Sequence, residues 1–296
     1  PQPTAVKARR RRAPPLVYVK GEEMSAYVMQ RILAEWVLPA WEIQSWRVFD
    51  LSAARRDACG DAELAELVEA GVELRVVFKE PTITPTADQA RALGLTDPRT
   101  WGSPNGRLRR GWGGISIVRE TIAVQGLTLG FDRPVHVSRH AVGGEYNASA
   151  AEVRGPGTVR VLFTPDESED VETELAVRRV TGDENAIVCY TNPHDGIEAL
   201  GRRFFRRCLA LRLRPCVVTK RTVFKWQETF WQRLRALFER EFRPAFVQAG
   251  LLGAGEELRH LLSDAATMCI VRWAEGGFGL VGECSNSLSR RRHHLV

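Results

Sequence analysis

Apolar positions along the chain follow two periods in turn. Leu16–Lys20 (LVYVK), Trp46–Leu51 and Val72–Lys79 are short runs of the kind that buried strands leave. Between the first two, Met24, Tyr27, Val28, Ile32 and Trp36 recur at helical spacing until Pro39. Between the second and third, Leu64, Leu67 and Val68 follow Asp61, a capping residue type, with Gly71 as the expected stop. Strand, helix, strand, helix, strand predicts an α/β layer with parallel pairing. Thr84 is expected to cap a further helix, with Pro85 at its first position.

From Gly114 the pattern turns strand-rich. Val135–Arg139, Thr158–Phe163, Glu172–Val177 and Ala186–Thr191 have β character, and Gly155-Pro-Gly157 reads as a turn. A helix is expected from about Asp195 to Leu213, with Ile197, Leu200, Phe204, Cys208 and Leu211 inward. Its other face carries Arg202, Arg203, Arg206 and Arg207, which suits either solvent or a partner or nucleic-acid surface. After the strand Cys216–Thr219, a stripe from Val223 through Trp226, Phe230, Leu234, Leu237 and Phe238 to Phe242 marks a second helix. So many large aromatics suggest that the stripe serves in part as an interface. Glu256–Trp273 reads as one more helix, broken by Gly276-Gly277.

Composition narrows the class. The 296 residues are 44% hydrophobic and suffice for one large or two modest domains. No apolar run is long enough to span a bilayer. The net charge of +6 comes mostly from arginine, and part of it sits in the first dozen residues. Residues 1–15 (PQPTAVKARRRRAPP) form a basic, acid-free segment without the apolar block of a secretory signal. It suits a mitochondrial targeting remnant or a basic arm on RNA or a protein partner, extended and mobile unless bound. The six cysteines include no Cys-x-x-Cys pair and no zinc-finger spacing with histidine, so reduced core thiols are expected.

The candidate chemistry centres on Trp101–Glu120. Arg107, Arg109 and Arg119 surround a Ser-Pro-Asn-Gly turn and the pair Gly113-Gly114. Fixed cations and small donors around a turn make either a receptor for carboxylate or phosphate, or an ordinary polar loop. The expected strand order favours the receptor, because ligands of open α/β sheets sit beyond the carboxyl ends of the strands. There is no Walker loop and no Gly-x-Gly-x-x-Gly after a strand.

Collinear motifs over most of the chain resemble the eukaryotic-type NADP-dependent isocitrate dehydrogenases. They are Val17 with Gly21-Glu22-Glu23-Met24, Thr82-Ile-Thr84-Pro85, Trp101-Gly-Ser-Pro-Asn-Gly106, Gly113-Gly114, Arg119-Glu120, Ser138-Arg139-His140-Ala141, Tyr146, Gly155-Pro-Gly157, Thr219-Lys220-Arg221-Thr222 and Glu275-Gly-Gly-Phe278. The resemblance implies an isocitrate/isopropylmalate dehydrogenase-like α/β fold lacking the C-terminal part of its large domain. It divides the chain into a basic arm (1–15), the N-terminal half of the large domain (16–113), a small domain (114–145 and 192–285), a strand-rich clasp (146–191) and a basic tail (286–296). It assigns the three substrate carboxylates to Thr84, Ser103, Asn105, Arg109, Arg119 and Arg139, and proton transfer to Tyr146 and Lys220, the lysine acting across a subunit boundary.

The departures from the family matter too. The two family metal aspartates fall on Leu288 and Arg292, and a third on Ala265 or, one residue away, Asp264. The family's NADP loop lies beyond the matched region. These points imply a pseudoenzyme retained as a structural subunit of a larger mitochondrial (matrix) assembly, with no cofactor, whose partners cover the truncated domain and which forms a homo- or heterodimer through the clasp. The alternative is a working NADP-dependent enzyme, with NADP and Mg²⁺ or Mn²⁺, completed by a partner chain and converting isocitrate to 2-oxoglutarate.

Overall fold

Val17, Tyr18 and Val19 are buried on both faces of one strand, as a continuous apolar run in a parallel sheet requires. In the computed structural model, which describes residues 10–96, 103–121, 131–144, 148–166, 172–273 and 275–283, that strand belongs to the first of two compact units, Pro1–Gly114 and Ile115–Val296. The first unit begins with β1 (Arg11–Arg12), β2 (Val17–Lys20) and α1 (Glu23–Ile32), which continues as a π-helical turn, Leu33–Val37. Then come β3 (Trp41–Glu42), β4 (Arg47–Asp50), α2 (Ala53–Cys59), α3 (Ala62–Leu74), β5 (Val77–Lys79), α4 (Ala87–Ala92) and α5 (Pro104–Gly111). β2 lies between β4 and β5 and is parallel to both. Val17, Val19, Leu51, Leu64, Leu67, Ala70 and Leu108 form the core.

Several expectations are corrected here. β1 pairs in parallel with β3, and Ala13 is buried, so residues 11–13 of the basic arm are part of the fold. The helical stripe of α1 buries nothing: Met24, Tyr27, Val28 and Trp36 are all exposed. Asp61 stands at the N-cap of α3 but makes no capping bond; its carboxylate holds Arg56 and Arg107 instead. Gly71 does not stop α3. It lies inside the helix, where its missing side chain makes room for Trp112: a Cβ there would fall 2.4 Å from the Trp112 Nε1, which donates to the Val68 carbonyl at 3.1 Å. The helix runs on to Leu74 and ends on Arg75 in the left-handed region, which shortens the expected third strand to three residues. Thr86, not Thr84, caps α4, in a capping box with Gln89. The Ser-Pro-Asn-Gly turn is the first turn of α5, with Pro104 at its N-terminal end.

The second unit contains β6 (Ser116–Glu120), β7 (Val135–His140), β8 (Ser149–Arg154), β9 (Gly157–Phe163), β10 (Thr173–Val180) and β11 (Glu184–Cys189). α6 (Ile197–Leu211), β12 (Arg214–Thr219), α7 (Gln227–Glu241), α8 (Arg243–Gln248), β13 (Arg259–Leu262), α9 (Ser263–Arg272) and β14 (Phe278–Gly282) complete it. Its main sheet has the order β13-β12-β14-β7-β6, parallel except for the edge strand β6. β8 with β11, and β9 with β10, form two separate antiparallel ribbons. The start of the expected helix Glu256–Trp273 is strand β13, because Arg259–Leu262 takes up a parallel edge beside β12. The aromatic stripe is core rather than interface: Phe230, Leu234, Leu237 and Phe238 are fully buried against Leu200, Phe204 and Phe205 of α6. No described helix is long and apolar enough to cross a membrane.

Candidate active site

In the first unit the candidate residues leave the carboxyl edge of the sheet or sit on α5. Thr84 is exposed on the loop after β5, and its hydroxyl is not used in a cap. Ser103 is exposed at the N-cap of α5 and likewise makes no capping bond. Asn105 and Arg109, four residues apart, share one helix face and are half-buried. The neighbouring face is held down by its own contacts. Leu108 is buried, Trp112 is fixed to α3, and Arg107 donates to Asp61 at 2.7 Å. Arg107 is therefore an anchor, and the anchor is what positions Arg109.

Asp61 is the centre of that anchor. Its two oxygens receive Arg56 at 2.7 and 3.1 Å, and the side chains of Arg56 and Asp61 are only 2% and 5% exposed. Glu80, also buried, accepts from the Tyr18 hydroxyl, from the Gly21 amide at 3.0 Å and from Ser25 Oγ at 3.0 Å. It ties the loop after β5 to the loop that opens α1.

Lys79, the last residue of β5, was not among the sequence candidates. Its Nζ donates to the Glu80 carbonyl at 2.9 Å and to Thr82 Oγ1 at 2.8 Å. Burial, then the positive charges of Arg109 and Arg56, pull its pKa down to about 8. The unfolded chain thus binds more protons between about pH 8 and 10.5, and the first unit gains stability as pH rises across that window. Lys79→Met keeps the stem and removes the charge. It is expected to stabilise the unit by up to about 1 kcal/mol at neutral pH, an advantage that vanishes toward pH 10.5; paired urea titrations across that range check it.

In the second unit the strand register places Arg119 opposite Val137 and Arg139 opposite Ile117. The two arginines therefore occupy diagonal positions on the same face of β6 and β7. Arg119 is exposed and Arg139 half-buried. Glu120 receives Arg207 on both oxygens at 2.7 Å and His136 at 2.8 Å. The Arg207 hydrogen bond holds its carboxyl well below the usual range, while burial holds His136 below its own. On the α6 face, Arg202 binds Glu198 and Glu241, so two of the four arginines expected there are neutralised by carboxylates.

Lys220 follows the last residue of β12, and its Nζ is ion-paired with Asp264 in the first turn of α9. The parallel register of Thr219 with Leu262 brings these two positions together. The buried Gln227 side chain accepts the Lys220 amide, and Thr219 Oγ1 meets His260 Nε2 at 2.9 Å. Burial pushes His260 down to about 4. Glu283, just past β14, is buried and pushed up to about 7 by desolvation. Tyr146, Leu288 and Arg292 lie outside the described residues. Among the described residues no group of three His, Cys, Asp or Glu side chains converges on a metal position. One carboxylate already paired with a lysine does not make a cation site.

No family model matches the chain. The crystal structure of isocitrate dehydrogenase from Ostreococcus tauri, in complex with isocitrate and magnesium(II), superposes with a TM-score of 0.86 at 48% identity, covering 94% of this chain and 69% of that one. The chain belongs to the isocitrate dehydrogenase family. The mitochondrial NAD(+) isocitrate dehydrogenase of Ostreococcus tauri is 51% identical over 270 residues, and the mitochondrial NAD(+) enzyme 1 of Phaeodactylum tricornutum is 46% identical over 269. Each match takes in 90% of this chain but only 57% and 48% of those relatives' lengths. Relatives named as NADP enzymes share 28 to 31% identity.

Proposed function

We propose that this chain is part of a working NAD(+)-dependent isocitrate dehydrogenase, acting in the mitochondrion, rather than a structural subunit. The observation that carries this reading is the far higher identity to relatives named as NAD(+) enzymes than to those named as NADP enzymes. The expected cofactor shifts accordingly from NADP to NAD(+). The structural-subunit reading rests on Leu288, Arg292 and Ala265 standing where the family has metal aspartates and on the family's NADP loop lying beyond the matched region; positions 288 and 292 lie outside the described residues.

The chemistry asked of the residues is modest and specific. Isocitrate presents three carboxylates. Arg109, with the hydroxyls of Thr84 and Ser103 and the amide of Asn105, supplies a fork and short donors on the first unit, and Arg119 and Arg139 supply two more forks on one sheet face of the second. Oxidation transfers a hydride from the hydroxyl-bearing carbon to NAD(+) and releases the hydroxyl proton. Loss of CO₂ then leaves an enolate that takes up one proton to give 2-oxoglutarate. Lys220 is the proton carrier in this scheme, with Asp264 as the group that fixes its position. Lys79 adds positive charge beside Arg109.

Initial rates with isocitrate, Mg²⁺ and either dinucleotide test the reading. The expected result is reduction of NAD(+) with a kcat/KM at least about tenfold above that for NADP. Preference for NADP would overturn the cofactor assignment, and no isocitrate-dependent turnover with either would return the structural-subunit reading to first place.

A further inference from the structure

The four parallel strands of the second unit have two ends, and the candidate catalytic groups Arg139, Lys220 and Asp264 all belong to the carboxyl one. The amino end holds a different cluster. Arg214 and Arg259 are the first residues of β12 and β13, Arg133 stands two residues before β7, and Arg272 ends α9. The register, with Arg214 beside Phe278 and Cys216 beside Arg259, brings these separate elements to one rim. All four arginines line a single cavity of about 460 Å³.

Their pairing state sets them apart. Arg202, Arg207, Arg221 and Arg243 of the same unit each bind a carboxylate. None of the four cavity arginines has a carboxylate within ion-pair distance among the described residues. Among the described residues only Arg259 of the four has a ring partner, its guanidinium lying 5.2 Å from the centre of Trp273. Two carboxylates, Glu256 and Glu275, also line the cavity, so four positive charges face two negative ones. Leu251, Leu252 and Phe278 make an apolar wall.

The rim is built to hold this arrangement. Gly277 sits at φ +78, and a Cβ on it would fall 2.6 Å from the Arg133 Cζ, so the missing side chain is what admits that guanidinium. Backbone bonds from Arg133 to Glu275 (2.8 Å) and from Arg214 to Gly277 (3.0 Å) fix the positions from which two of the side chains start. Guanidinium forks match the paired oxygens of phosphate and carboxylate groups. An excess of two positive charges selects a ligand with several such groups, and the apolar wall suits a small organic body.

We propose that this cavity binds a compact polyanion carrying two or more phosphate or carboxylate groups, at the opposite end of the sheet from the candidate catalytic residues. The proposal rests on the second unit alone and stands or falls separately from the dehydrogenase reading.

Titration calorimetry with inorganic pyrophosphate and with benzene-1,3,5-tricarboxylate, a flat tricarboxylate unlike isocitrate, forms the phosphate and carboxylate arms of the test. At least one is expected to bind saturably, and the arm that binds identifies the anion class. The double variant R259E/R272E is expected to weaken that binding by at least about tenfold. Should it fail to fold by circular dichroism, R133Q/R214Q, which changes the other two exposed arginines, is expected to show the same loss. Arg160→Gln, on the separate β9–β10 ribbon, should leave the binding unchanged. Absence of binding for both anions, wild-type affinity in a folded double variant, or loss of binding in Arg160→Gln would overturn the proposal.

Discussion

Asp61→Ala is expected to destabilise the first unit by about 3–5 kcal/mol, the range found when one partner of a buried ion pair is removed. The carboxylate is 5% exposed and serves Arg56, itself 2% exposed, together with Arg107. Removing it leaves the Arg56 charge in a place water cannot reach, and it also frees the anchor that holds α5 to α3. A domain typically holds only about 5–15 kcal/mol in reserve, so a loss of that size can unfold the unit near physiological temperature. Urea titrations followed by circular dichroism would measure it. The double variant R56M/D61A should recover much of the loss, because an apolar pair of similar volume carries no stranded charge. A loss below about 1 kcal/mol in Asp61→Ala would mean that the network contributes little.

The second large effect is on turnover. Lys220→Met is expected to lower kcat by about 10²–10⁴-fold, the usual yield of one positioned proton-transfer group, with a much smaller change in KM for isocitrate. The fold should tolerate the change. The Lys220 backbone is held by Gln227 and its neighbour Thr219 by His260, neither of which depends on the ammonium group. Asp264→Asn tests the positioning role. It keeps a hydrogen-bond acceptor but removes the charge that holds Nζ, so a smaller drop in kcat with a shifted pH–rate profile is expected. Equal kcat in Lys220→Met and wild type would remove the lysine from the scheme.

The elements most legible in the sequence were those whose apolar pattern is satisfied locally. β2, β7, β12 and α6 fall where the periodicity puts them, because each buries Val, Leu, Ile or Phe side chains against its immediate neighbours. The misreadings share one cause: a residue type with a common local use was employed over a distance. Gly71 looked like a helix stop, but its missing side chain makes room for Trp112, 41 positions on. Asp61 looked like a cap and is an ion-pair hub. Arg259–Leu262 carried a helix-like sequence and became a strand because β12 offered an open parallel edge. The aromatic stripe of α7 looked too large for one unit until Phe204 and Phe205 of α6 were seen to pack against the same cluster.

The candidate site was legible through the family motifs and only partly through local chemistry. Ser103 and Thr84 read as plain turn and cap residues, and the structure leaves both hydroxyls unused for capping. Lys79 had one available signal, its place at the carboxyl end of a parallel strand, where α/β sheets gather ligands. Its lowered pKa depends on burial and on Arg109 and Arg56, which no spacing rule reveals. The pairing of Lys220 with Asp264 follows from the register of β12 with β13, and that strand was not expected at all.

Under the proposed function, Arg109 of the first unit and Arg119 and Arg139 of the second recognise the carboxylates of isocitrate. Titration calorimetry with isocitrate on the wild-type chain and on Arg109→Ala and Arg139→Ala tests it most directly. Saturable binding is expected, weakened about 10–100-fold by each substitution, the loss expected for a charge-assisted hydrogen-bonding partner. Absence of isocitrate binding, or binding unchanged by both substitutions, would contradict it.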